Sequence, residues 1–97
     1  MRLGNFPKAP AERKRYTIDY TDWLDTGETI STVTFGVAPT GTGALQIDAY
    51  SIGSPAKTVV FFANFGLAGK QYTVTVTITT SGGQTKEDTI LFSVRSA

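Results

Sequence analysis

From Tyr72 to Thr79 the chain alternates apolar and hydroxyl residues, with Tyr72, Val74, Val76 and Ile78 set against Thr73, Thr75, Thr77 and Thr79, and the pattern breaks at Gly82-Gly83. A period of two belongs to a strand with one buried and one solvated face, and the glycines after it supply the positive φ that a tight hairpin needs. Beyond the turn, Ile90, Phe92 and Val94 share one face while Leu91, Ser93 and Arg95 share the other. The result is a ribbon with one oily side. A lone hairpin is marginal in water, so this ribbon demands further strands to cover that side.

The rest of the chain supplies them. Tyr16, Ile18 and Tyr20 alternate with Thr17, Asp19 and Thr21, so a first strand starts near Arg15. A second runs from about Glu28 to Val37 with Val33, Phe35 and Val37 inward and Thr32 and Thr34 outward. A third covers Ala44 to Ser51, its buried set being Leu45, Ile47 and Ala49 opposite Gln46, Asp48 and Tyr50. The fourth, Lys57 to Phe65, has apolar residues on both faces, among them Val59, Val60, Phe61 and Phe62. Turn signals separate them at Pro39 to Gly43, at Gly53-Ser54-Pro55 and at Gly66 to Gln71. Between the first two strands, Asp22 caps a helical turn that Gly27 closes, and Trp23 and Leu24 tuck under one end of the core. Short strands at this spacing predict an all-β sandwich of six or seven strands, with a closed barrel as the structural alternative.

Ninety-seven residues hold one such core. The chain contains no cysteine and no histidine, which excludes disulfide scaffolds, thiol nucleophiles, Cys/His zinc sites and Ser-His-Asp triads. No run approaches the roughly 20 apolar residues of a membrane-spanning helix. Charge is lopsided within a net of +1: Arg2, Lys8, Arg13, Lys14 and Arg15 against Glu12 give the first fifteen residues +4, leaving −3 for the remainder. The division is therefore a basic arm over residues 1–15 and a sandwich domain over 16–97. Gly4, Pro7 and Pro10 make residues 1–13 extended or irregular, and the arm over residues 1–15 is expected to be disordered in the isolated chain and ordered against a neighbour. An acidic protein surface is the expected partner; nucleic acid is disfavoured, because the arm has one aromatic, Phe6, and the body has no second basic patch.

Other clusters admit plain readings. Asp19, Asp22, Asp25 and Glu28 invite calcium but lack the ligand alternation of a known loop, and turn capping accounts for them. Glu87 and Asp88 lie just past a hairpin and make a poor glycosidase pair. The threonine face of Thr73 to Thr79 suits sugar or ordered water, with Tyr16 and Tyr50 as stacking residues, yet threonine is a good strand former on any wet face. The doubly apolar fourth strand leaves side chains that a loop, the arm or a neighbouring subunit must cover. Candidate interface residues are thus Arg2, Phe6, Lys8, Arg13, Lys14, Arg15, Val59, Phe61 and Phe65.

Asp22-Trp23-Leu24, Gly27 to Ile30, Ala68 to Tyr72, Ile78 to Thr85 and Val94-Arg95, in that order and spacing, resemble the tailed-phage fiber-tail adaptor family over about residues 16–95. Phe35 and Phe61-Phe62 stand where relatives often carry tryptophan, and the basic arm is longer than the family pattern. The resemblance implies an immunoglobulin-like antiparallel β-sandwich, to which this chain adds its extended N-terminal arm, and a non-enzymatic virion protein without cofactors or metals. Its implied partners are other tail or fiber proteins, in several symmetric copies, with no membrane; it would be made in the host cytoplasm and reside in the phage tail. A carbohydrate-binding module for host-surface recognition and a capsid decoration protein are the alternatives.

Overall fold

The computed structural model describes residues 2–53 and 56–95, and for Arg2 and Leu3 the backbone alone. Seven strands follow in order: β1 (Arg2–Lys8), β2 (Lys14–Asp19), β3 (Ile30–Ala38), β4 (Gln46–Gly53), β5 (Thr58–Asn64), β6 (Gln71–Thr80) and β7 (Thr85–Val94). They build a four-stranded sheet, β1-β7-β6-β3, facing a three-stranded sheet, β2-β5-β4. All neighbours are antiparallel except β1 and β7, which run parallel. The protein is an all-β sandwich.

The alternation read in β6 and β7 sets the core. Tyr72, Val74, Val76 and Ile78 meet Ile90, Phe92 and Val94 from the four-stranded sheet, and Val59, Phe61 and Ala63 close over them from β5. An aromatic chain crosses the sandwich from one open side to the other. Phe6 lies 6.0 Å from Phe92, Phe92 5.2 Å from Tyr16, Tyr16 5.6 Å from Phe61, Phe61 5.2 Å from Phe35 and Phe35 5.1 Å from Tyr50, centroid to centroid. Tilted and edge-on pairs at these distances are attractive beyond their buried area.

Three local readings change. Residues 2–8, which the sequence predicts as part of a loose arm, form β1 in the sheet. Gly4 and Pro7 mask this strand because an edge position tolerates both, and its pairing is with the far end of the chain, beyond any local signal. In β4 the ladder shifts between Asp48 and Ser51 around Ala49, whose φ is 48°. That bulge leaves Ala49 exposed rather than buried, and Ile52 packs on the core instead. Finally, the turn after β2 is held by Asp19 rather than Asp22: the Asp19 carboxylate accepts from the Thr21 amide at 2.9 Å and hydroxyl at 2.6 Å. Trp23 is half-buried at the rim of the core, edge-on to Tyr20. Ser54 and Pro55 of the third predicted turn lie outside the described residues.

Candidate interaction surface

The strand directions sort the loops onto two ends of a body measuring 43 × 20 × 20 Å. One end carries residues 9–13, 39–45 and 65–70; the other carries 20–29, 56–57 and the hairpin 81–84. The first end is built around Phe65. This residue has a φ of 61°, in the left-handed region that phenylalanine rarely enters, and its side chain is half exposed. Gly66 follows at φ 106°, and a Cβ there would lie 2.8 Å from Val94 Cγ2, so the reversal needs glycine at this position. Leu67 is also exposed, its amide donating to the Tyr72 hydroxyl at 3.0 Å.

Lys8 holds this loop in place. Its side chain is 98% removed from solvent (2% exposed), and Nζ donates to the Phe65 carbonyl at 2.6 Å and to the Ala9 carbonyl at 2.9 Å. Burial pulls the ammonium below its ordinary value of 10.5, with the nearby Glu12 carboxylate opposing. At the same end, the Arg13 guanidinium lies 4.0 Å from the Phe62 ring centroid and bonds to Asp48 at 2.9 Å. Lys14 and Arg15 are exposed, the Lys14 ammonium 5.8 Å from the Tyr16 centroid.

The candidate residues therefore separate. Phe65, Arg13, Lys14 and Arg15 reach the surface at or near one end, and Phe6 is partly exposed at the β1 side, its ring against Tyr16. Val59 and Phe61 have no exposed surface, because their face of β5 is the one turned into the sandwich; they form core and offer nothing to a partner. Lys8 is buried too and acts on the surface only through Phe65. The side chain of Arg2 lies outside the described residues. Tyr16 and Tyr50 do not form a platform, since Phe61 and Phe35 stand between them in the aromatic chain.

The opposite end is acidic and internally bonded. Glu28 accepts from the Thr80 hydroxyl at 2.6 Å, from the Asp25 amide at 3.2 Å and from the Gln84 amide nitrogen, and these bonds, Thr80 first, hold its carboxyl below the usual 4.5 against the opposing effect of burial. Asp25 accepts from the same Gln84 nitrogen at 2.9 Å. A depression of about 300 Å³ borders Glu28, Asp25 and Gly82, but its carboxylates are already committed to the hairpin. Among the described residues, no three of the acidic or metal-binding types come together to hold a cation. Deeper in, Asp88 is fully buried with Lys86 Nζ 3.4 Å away. Burial and the Asp88 carboxylate both push the Tyr20 hydroxyl's ionisation upward, and Lys86 in turn sits 5.3 Å from the Trp23 centroid. No signal in the sequence separates Asp88 from its exposed neighbour Glu87 other than its place on the inward parity of β7.

Residues 8–93 match the family model of the podophage GP4 fiber-tail adaptor protein gp77. The chain belongs to this fiber-tail adaptor family. The match takes in Lys8 at the end of β1 and everything from there almost to the end of β7, so it spans both sheets and both ends of the sandwich. The fiber-tail adaptor family is one of structural phage tail proteins, and membership implies a place in the virion and contact with other tail or fiber proteins. None of the curated proteins searched matches the chain.

Proposed function

We propose that this adaptor is a non-enzymatic joint of the podophage tail, attaching fibers or neighbouring tail proteins through the end of the sandwich that presents Phe65. The observation that carries the reading is the Lys8–Phe65 clamp: a phenylalanine in a backbone conformation that disfavours it, half in water, fixed from beneath by a buried ammonium. Such strain persists where the surroundings impose it, and aromatic anchors on rigid supports are what protein interfaces use at their centres. Leu67 beside it adds apolar area, while Arg13, Lys14 and Arg15 nearby favour an acidic partner surface. Several symmetric copies, a virion without membrane or nucleic acid contact for this chain, and synthesis in the host cytoplasm complete the reading.

The test is Phe65→Gly, which removes the ring and relieves the left-handed backbone at once. The variant should melt at or above the wild-type temperature yet fail to hold fibers or tail partners in assembled particles. Full incorporation of the variant with fibers attached would overturn the assignment of this end.

A further inference from the structure

The sandwich has four edge strands, and three of them are guarded. The β1 edge carries Pro7 and Lys8 and an irregular register between Arg2 and Gly4. The β2 edge is six residues long and contains Lys14, Arg15 and Asp19. The β4 edge is broken by the bulge at Ala49 beside Asp48. Charge, proline, bulges and short length are the devices by which folded proteins keep sheet edges from pairing with other chains. β3 has none of them from Thr32 to Ala38: the segment reads Thr-Val-Thr-Phe-Gly-Val-Ala, pairs with β6 in unbroken register on one side, and on the other has no backbone partner among the described residues. Val33, Phe35 and Val37 are half-buried along it, and exposed Tyr50 packs at a tilt against Phe35.

Charge identifies what fits this edge. In the half of the body around Phe65 stand Lys8, Arg13, Lys14, Arg15, Lys70 and Arg95 against Glu12 and Asp48, a net of +4. In the half around the hairpin stand Asp19, Asp22, Asp25, Glu28, Glu87 and Asp88 against Arg2, Lys57 and Lys86, a net of −3. β3 runs from the acidic end to the basic one. A second copy approaching antiparallel at β3 sets its basic end beside the first copy's acidic end, twice over, whereas a parallel approach sets like against like.

We propose that β3 is a docking edge at which a second copy of this chain pairs antiparallel about a two-fold axis, joining the two four-stranded sheets into one. Val33, Phe35, Val37 and Tyr50 of both copies then form an apolar seam on the inner side, and uncharged Thr34 and Gly36 face each other outside with no like charges to repel. The contact is isologous, so the Phe65 ends of the pair point in opposite directions, and the inference stands apart from the partner assigned to that end.

Sedimentation and light scattering of the purified chain over a concentration series test it. Wild type should form dimers that weaken as salt rises, because the charge contacts lie at the surface. Thr34→Lys places two ammonium groups near the axis and should leave a monomer at concentrations where wild type is dimeric. Thr17→Lys on the β2 edge should dimerise as wild type does. Melting at a dilution where every form is monomeric shows that Thr34→Lys is folded. Hydrogen exchange on wild type alone gives a second readout: amides within residues 32–38 should gain protection as concentration rises. A wild type that stays monomeric at every concentration, a Thr34→Lys dimer, or β3 amides protected only when another tail protein is added would each overturn the proposal.

Discussion

The guanidinium of Arg13 lies over the ring of Phe62, 4.0 Å from its centroid, while Phe61 on the opposite face of β5 has no exposed surface at all. The two adjacent phenylalanines thus do different work, one filling the space between the sheets and the other lying under a loop of the same chain. The doubly apolar strand is covered from within, by the residue that precedes β2.

Serine at the two positions should separate these roles. Phe61→Ser removes a core aromatic and should cost about 3–5 kcal/mol, most of what a domain this small has to lose. Phe62→Ser gives up a cation–π contact worth about 0.5–1 kcal/mol at an exposed site plus part of the ring's burial, and should stay folded. Thermal melting of both variants checks it; equal losses would mean that Phe62 is as central as Phe61.

The hairpin offers a cleaner backbone test. Gly83 has a φ of 84° and open space where a side chain would go, so a substitution there meets strain alone. Gly83→Val should therefore destabilise by about 1–2 kcal/mol from the left-handed backbone, and Gly83→Asn by distinctly less. Chemical denaturation of the pair measures the difference, and equal stability of both variants would remove the strain from the turn.

How far the sequence spoke depended on whether the deciding partner was local. β6 and β7 were legible because each carries its own period of two and the turn between them is marked by glycine. β4 was legible only as far as Asp48, since a bulge shifts parity without leaving a residue signature that differs from ordinary alternation. β1 was hidden because its partner lies more than eighty residues away in β7, and a strand containing Gly4 and Pro7 lacks the composition that would mark it. Phe65 could be picked as an apolar residue at a strand end, but its support could not: a lysine in a basic run gives no hint that it will bury its ammonium under that carbonyl.

Acid should loosen the hairpin end first. The folded-state carboxyl of Glu28 ionises below its ordinary 4.5, chiefly because the Thr80 hydroxyl donates to it, so its contribution to stability is complete above that value and fades as pH falls through the lower folded one. Glu28→Gln has no such proton to take up. Its melting temperature should fall less steeply than that of wild type as pH drops below 4.5, and curves that stay parallel through this range would rule Glu28 out as the source of the acid sensitivity.

Removing residues 1–8 distinguishes a detachable arm from an integral strand. The deletion strips β7 of its neighbour, takes the Phe6 ring away from Tyr16 and Phe92, and removes both hydrogen bonds from Lys8 to the carbonyls of Phe65 and Ala9. Bonds from a charged donor contribute about 1.5–3 kcal/mol each, so the truncated chain should melt well below the full one. Lys8→Met keeps the strand and the apolar stem while losing the ammonium, and should fall between the two with faster proteolysis in the Phe65 loop. An undiminished melting temperature after deletion would mean that residues 1–8 contribute nothing to the free domain and are ordered by a partner alone; a drop shared by the deletion and Lys8→Met locates the strand's main contribution in the clamp on Phe65.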